Sequence, residues 1–302
     1  MHYQHLIDTA VALGCRVTAN APMAQATTFR IGGPADLLID LPVAAVGPIL
    51  ALCREEQIPY LFIGNGSNLL VGDKGIRGAV LRLMDDGADP VLLDGNRIYA
   101  PAGMQLKRLC MFAREQSLTG LEFAFGIPGT VGGAVYMNAG AYGGEMADVV
   151  ESADCISATG ETYTLSADEL ALSYRHSALM DNGGIVLGVT LQLTPGDYDT
   201  IAATMKDLMG RRREKQPLEY PSAGSFFKRP EGYFAGKLIQ DAGLKGFSVG
   251  DAQISEKHAG FVVNRGNATA ADMVELCRQV QAKIMETDGV LLEPEVRFIG
   301  EF

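Results

Sequence analysis

Positive charge is in short supply. Lysine and arginine total 25 against 36 aspartates and glutamates, a formal net charge of −11. Without a basic surplus the chain has little with which to release counterions, so neither nucleic acid nor an anionic membrane is expected as its main partner. Cysteine pairs are missing as well. Cys15, Cys53, Cys110, Cys155 and Cys277 are scattered, with no CxxC and no zinc-ligand spacing. An odd, unclustered set fits a reduced compartment with the thiols as small core residues. The N-terminus, MHYQHLIDTAVALG, lacks the basic start and apolar run of a secretion signal, and a cytoplasmic setting is expected. No HExxH or GxSxG occurs, and Gly232–Lys237 stops one residue short of a GxxxxGK[ST] loop and lacks its Ser/Thr. Neither a metalloprotease nor a P-loop NTPase is indicated, a serine hydrolase is poorly supported, and no metal is expected. Long apolar runs are absent too: the uncharged window 123–144 holds seven glycines, Pro128 and Asn138 where a spanning helix needs aliphatic bulk.

What is abundant is glycine. Thirty-six glycines in 302 residues is about 12%, against a usual ~7%. In the absence of a repeat, that excess suggests backbone packed closely around something. Hydrophobic residues at 47% and charged residues at 20% are otherwise those of an ordinary globule, long enough for about two domains.

Hydrophobic periodicity sketches the organisation. Val46, Ile49, Leu50 and Cys53 form a helical stripe that tolerates Pro48 only in its first turn. Short strands are expected at 60–63 and 80–84, and Asp94-Gly-Asn96 signals a hairpin. Leu106, Leu109, Cys110 and Ala113 mark another helix, and two short strands follow near 153–165. Ile185, Leu187, Val189, Leu191 and Leu193 alternate as in a half-buried strand. Beyond Thr194-Pro-Gly196 a helix leads into Arg211-Arg-Arg-Glu-Lys215. Thr269 with Asp272 forms a capping-box variant opening a helix striped by Met273, Cys277, Val280 and Ile284. A strand near 294–299 ends the chain. The reading is α+β in three lobes, 1–84, 85–200 and 201–302.

Four segments carry residue types suited to chemistry. Gly64-Asn65-Gly66-Ser67-Asn68-Leu69 follows a strand. A plain turn, an anion-cradling nest of backbone N–H groups, and a dinucleotide loop all fit it, although Leu69 stands where the last wants Gly or Ala. Gly126-Ile127-Pro128-Gly129-Thr130-Val131-Gly132-Gly133-Ala134, continuing to Asn138-Ala139-Gly140-Ala141, lets main chain press against a flat or charged ligand. Ser225 lies in Ser-Ala-Gly-Ser-Phe-Phe-Lys228, with His176 and His258 the plausible partners among four histidines. Arg175 in LSYRHS, Glu295 in LEPEVR, and the basic run ending at Lys215 read alone as surface ion-pair members, a solvated helix face or a phosphate clamp.

Together these stretches resemble the UDP-N-acetylenolpyruvoylglucosamine reductase (MurB) family. TTFRIGGPAD, GNGSNLLV, GIPGTVGGAVYMNAGAYG, LSYRHS, AGSFFK and LEPEVRFIG occur in order from Thr27 to about Ile299. The short passage from Ser177 to Ser225 is similar to the family's shorter type, without its extra tyrosine-bearing loop. The resemblance implies a two-lobed FAD-binding fold of the vanillyl-alcohol-oxidase type plus a small α/β substrate-binding domain. It implies FAD and NADPH as cofactors and an enolpyruvyl UDP-sugar as substrate. It places Arg30, Gly64–Asn68, Gly126–Thr130, Gly132–Ala134, Asn138, Gly140 and Ala141 against FAD. It makes Ser225 the proton donor, puts Arg175 and Glu295 on the substrate carboxylate, and puts Lys215 on the UDP phosphates. Arg229 stands where some members carry Asn, so a phosphate contact replaces an amide contact there. Two rivals remain: an oxidase of small alcohols or sugars on the same FAD fold, and a non-catalytic nucleotide-binding protein.

Overall fold

The alternating run at 185–193 folds as the strand Ile185–Gln192, but it lies in the middle of a sheet. In the computed structural model, which describes residues 3–85, 87 and 90–302, it is the third of five antiparallel strands. Their order is Thr162–Ser166, Val150–Ile156, Ile185–Gln192, Arg97–Pro101 and Val91–Asp94. The expected alternation fails at one point. Asp154 pairs with Gly188 and Cys155 with Val186, so Leu187 is the extra residue of a bulge, and a bulge reverses side-chain parity. Ile185 and Val186 are consequently both buried, and Leu187 is only half-buried. The first two residues of the N-terminal segment, and Asp86, Ala88 and Asp89 just after the expected boundary at 84/85, lie outside the described residues.

The described chain packs as two units, each discontinuous in sequence. The first takes the segment up to Thr18, Leu37–Asn65 and Ala79–Arg211. It holds the five-stranded sheet and the strand Tyr60–Ile63, which pairs in parallel with Ile76–Leu83 through Tyr60 and Ala79. Helix Val46–Glu55 buries the expected stripe, with Pro48 in its first turn behind the 3-10 turn Val43–Ala45. Helix Leu106–Glu115 does the same with Leu106, Leu109, Cys110 and Ala113. Asp94 and Arg97 flank the hairpin turn, where Gly95 adopts φ +57°.

The second unit takes Ala19–Asp36, Gly66–Gly78 and Arg212–Phe302. Its core gathers Phe29, Leu70, Phe226, Ile239, Met273 and Ile284. Helix Ala270–Asp288 begins at the expected capping box, in which Thr269 accepts from the Asp272 N–H and Asp272 accepts from the Thr269 N–H. The helix ends at Gly289 in the left-handed region. A three-stranded sheet, Ser248–Val249, Ala252–Ile254 and Val262–Asn264, packs beside it. The terminal strand is shorter than expected. Only Arg297–Ile299 is regular, paired in parallel with Leu69–Val71, because the Glu295 N–H ahead of it donates to the Phe226 carbonyl instead. No helix among the described residues is long and apolar enough to cross a membrane.

Candidate active site

The strand Tyr60–Ile63 delivers its chain directly into the glycine loop. A cleft opens at that point within the first unit. Phe62, Ile63, Leu83, Ile185 and Val186 give it apolar walls, while Gly64, Gly103, Gly132, Gly133 and Gly184 line it without side chains. Both glycine-rich segments therefore reach one cavity. They also touch: a Cβ on Gly64 would lie 2.8 Å from Thr130 Oγ1 and 3.7 Å from Gly133 Cα. Asn65 Nδ2 donates to the Pro128 carbonyl at 3.0 Å, fixing the separation of the two segments. Apolar walls and bare backbone suit a flat ring system that carries polar edges.

The dinucleotide-fold alternative for Gly64–Leu69 requires a helix after the loop. The chain instead enters strand Leu69–Val71. Gly66, at φ +62°, is dictated by packing, since a Cβ there would stand 2.2 Å from the Ala26 carbonyl oxygen. Its own carbonyl accepts from the Thr28 N–H at 3.2 Å, so the TTFR segment is attached to the loop. Arg30, also left-handed at φ +56°, is exposed between the fully buried Phe29 and the buried Ile31.

The second glycine segment is ordered throughout. Gly129 accepts from the Leu106 N–H, and Thr130 caps the short helix Val131–Tyr136 by accepting from the Gly133 N–H at 3.3 Å. Ala134 is buried on this helix. Asn138 is wholly buried, and both ends of its amide are engaged: Nδ2 donates to Ser173 O and Oδ1 accepts from the Ala147 N–H, each at 2.9 Å. Gly140 and Ala141 form a small hairpin with Gly144 and Glu145.

Ser173 and His176 exchange both backbone hydrogen bonds at 3.1 Å, closing a turn whose third residue is Arg175 at φ +56°. A left-handed, non-glycine residue costs on the order of 1 kcal/mol and persists only where its surroundings enforce it. Just beyond the turn, buried Ser177 donates from Oγ to Tyr136 O at 2.7 Å, anchoring the segment to the short helix. Arg175 then reaches back over the glycine segment, donating to Asn138 O and Gly140 O, both at 3.4 Å.

In the second unit, Ser225 and Glu295 come together from distant parts of the chain. Phe226 N–H donates to Gly260 O at 2.9 Å, and Phe226 O accepts from the Glu295 N–H at 2.8 Å. Glu295 is thus hydrogen-bonded to the residue that follows Ser225. Ser225 is exposed, after Gly224 at φ +76°. The two glutamates of LEPEVR differ in surroundings: Glu293 is exposed and paired with Lys228 at 3.3 Å, whereas Glu295 is half-buried. Asn68 Nδ2 donates to the Glu295 carbonyl at 3.0 Å, a contact with no signal in the sequence.

Lys215 is the exposed last residue of helix Tyr198–Lys215, and Arg211 on the same helix pairs with Asp207 at 2.8 Å. Arg229 is exposed, with its guanidinium carbon 4.4 Å from the centre of the Phe234 ring. Among the described residues no group of three or more His, Cys, Asp or Glu is placed to hold a metal.

The α+β fold and the glycine-lined apolar cleft define the class of FAD-binding oxidoreductases, and residues 43–166 match the family described as an FAD binding domain. Residues 216–299 match the C-terminal domain of UDP-N-acetylenolpyruvoylglucosamine reductase. Two curated proteins named UDP-N-acetylenolpyruvoylglucosamine reductase, from Agathobacter rectalis and Clostridium botulinum, are each 53% identical to this chain; the first covers 93% of both chains, the second 94% of this chain and 93% of its own. The crystal structure of UDP-N-acetylenolpyruvylglucosamine reductase (MurB) from Thermus caldophilus superposes with a TM-score of 0.79 at 38% identity, covering 94% of this chain and 98% of that one. The chain belongs to the UDP-N-acetylenolpyruvoylglucosamine reductase (MurB) family.

Proposed function

We propose that this protein reduces the enolpyruvyl ether of UDP-N-acetylglucosamine to the lactyl ether of UDP-N-acetylmuramate at the expense of NADPH, as a cytoplasmic step of peptidoglycan precursor synthesis. The observation that carries the reading is the junction of Ser225 with Glu295 through the Phe226 carbonyl, in a chain similar over nearly its whole length to reductases of that name. Lobes 1–84 and 85–200 hold FAD and 201–302 serves the substrate. Arg30, Gly64–Asn68, Gly126–Thr130, Gly132–Ala134, Asn138, Gly140 and Ala141 form the cofactor's surroundings. Held there, FAD would supply hydride transfer from NADPH to the substrate's methylene carbon.

The protein's own task follows from that delivery. Adding hydride to the methylene carbon drives negative charge onto the neighbouring carbon and its carboxylate, an enolate-like species that fixed positive charge and hydrogen-bond donors stabilise. Arg175, pinned in its turn, supplies a permanent cation with paired donors. Glu295 serves the same carboxylate in its protonated, donating form, since an ionised side chain there would repel it. Ser225 Oγ gives its proton to the charged carbon, completing the saturated ether, and is reprotonated from solvent. Arg175 aids that release by stabilising the alkoxide. Lys215 and Arg229 meet the diphosphate.

A visible spectrum tests the proposal. The purified protein is expected to be yellow, to bleach anaerobically with NADPH, and to regain its colour on addition of the enolpyruvyl substrate. A colourless preparation that binds no flavin would refute the reading. Bleaching that only oxygen reverses would favour an oxidase.

A further inference from the structure

We propose that Asn68 is a positioning residue for the acid Glu295, acting through its side-chain amide. The inference rests on the reductase reading above. Glu295 sits between two stretches of sheet bonding, an isolated antiparallel bridge of Phe227 with Pro294 and the parallel ladder beyond it. The parallel ladder begins at Arg297 opposite Leu69, and the residue before Glu295 is Pro294. A backbone acceptor between two such stretches is costly if left unsatisfied. Asn68 satisfies it, with Nδ2 donating to Glu295 O at 3.0 Å. The Asn68 main chain closes the other side, its carbonyl accepting from the Arg297 N–H at 3.0 Å.

The Glu295 peptide is therefore held at both ends: its N–H by Phe226 O, beside Ser225, and its carbonyl by Asn68. Those two anchors leave the half-buried carboxyl a fixed origin from which to project. Asn68 closes the first glycine loop, so the segment expected to meet the cofactor and the acid expected to meet the substrate share one hydrogen bond. Displacing a reacting group by an ångström costs on the order of 100-fold in rate. Loss of this anchor should thus fall on the substrate half of the reaction.

The test compares Asn68→Ala and Asn68→Asp with the wild-type holoenzyme, with rates taken per bound flavin. NADPH reduction and reoxidation by the enolpyruvyl substrate are followed separately in a stopped-flow instrument, the latter across pH. The expected result is a ratio of reoxidation to reduction lowered by about 10- to 100-fold in Asn68→Ala, with a displaced pH profile for reoxidation. Asn68→Asp keeps the shape but offers the Glu295 carbonyl an acceptor instead of a donor, so it should be no better than alanine. Recovery of reoxidation in Asn68→Asp, or equal slowing of both halves, overturns the inference. Failure of the wild-type flavin to be reoxidised by the substrate would instead overturn the reductase reading.

Discussion

Asn138 donates from Nδ2 to the carbonyl of Ser173 at 2.9 Å, tying the glycine-rich segment to the turn that presents Arg175. The same side chain accepts from the Ala147 N–H, so truncation orphans two backbone groups at a wholly buried site. Asn138→Ala is expected to destabilise the first unit by about 1–3 kcal/mol. It should also raise KM for the enolpyruvyl substrate, because Arg175 loses its fixed base. Asn138→Asp keeps the bond to Ala147 but sets a buried carboxylate against the Ser173 carbonyl, so it should be no better than alanine. Thermal melts together with steady-state kinetics decide the matter; a melt shift with unchanged KM would separate Asn138 from Arg175.

Ser225→Ala removes the proposed acid while leaving a small exposed side chain at the same place. NADPH should still reduce the flavin at a near-normal rate. Reoxidation by substrate should slow by about 10²- to 10⁴-fold, the usual range for a lost general acid. Equal slowing of the two half-reactions would show that Ser225 positions the cofactor and is not the proton donor.

Glu295 and Ser225 flank one hydrogen-bonded junction at Phe226, and replacing the glutamate distinguishes two roles for it. If Glu295 stabilises the developing charge by donating a hydrogen bond, Glu295→Gln retains that donor and should keep more activity than Glu295→Ala. Single-turnover reoxidation of the two variants supplies the comparison. Equal inactivity would mean that the acid itself transfers a proton.

Much of the local structure was legible because it depends on neighbours in sequence. The stripes at 46–53, 106–113 and 273–284 and the Thr269–Asp272 box all answer to helical periodicity and capping. Parity at 185–193 was not legible, since the bulge at Leu187 arises from the register of a strand thirty-odd residues away. Nor does a division into consecutive lobes express how segments 19–36 and 66–78 pack with 212–302, because only long-range contacts reveal it. At the site, motif order marked Ser225, Arg175 and Glu295. Which atoms of Asn65, Asn68 and Asn138 are committed to other protein groups depended on the three-dimensional arrangement. The glycine excess suggests backbone close to a ligand. Gly64 does line the cleft, but Gly66 is required by the chain's own Ala26 carbonyl.

His258 gives the molecule a predictable acid sensitivity. Burial, aided by the nearby charge of Lys245, holds its imidazole below the ordinary value of 6.5, against a smaller opposing effect of a backbone hydrogen bond. Its Nδ1 accepts from the Gly260 N–H at 3.1 Å, and Gly260 O in turn accepts from the Phe226 N–H beside Ser225. Protonating Nδ1 would set one donor against another and break that chain of contacts. A folded-state pKa below the unfolded one means that the unfolded chain takes up the proton first on acidification. The stability due to neutral His258 is therefore fully present above about pH 6.5 and declines as pH falls toward the depressed folded value. Melting temperature should drop as pH is lowered below about 6.5, before most carboxylates titrate. His258→Asn keeps an acceptor near Gly260 without a titrating ring, so its profile should be flatter than that of the wild type. Identical slopes in the two proteins would place the acid sensitivity elsewhere.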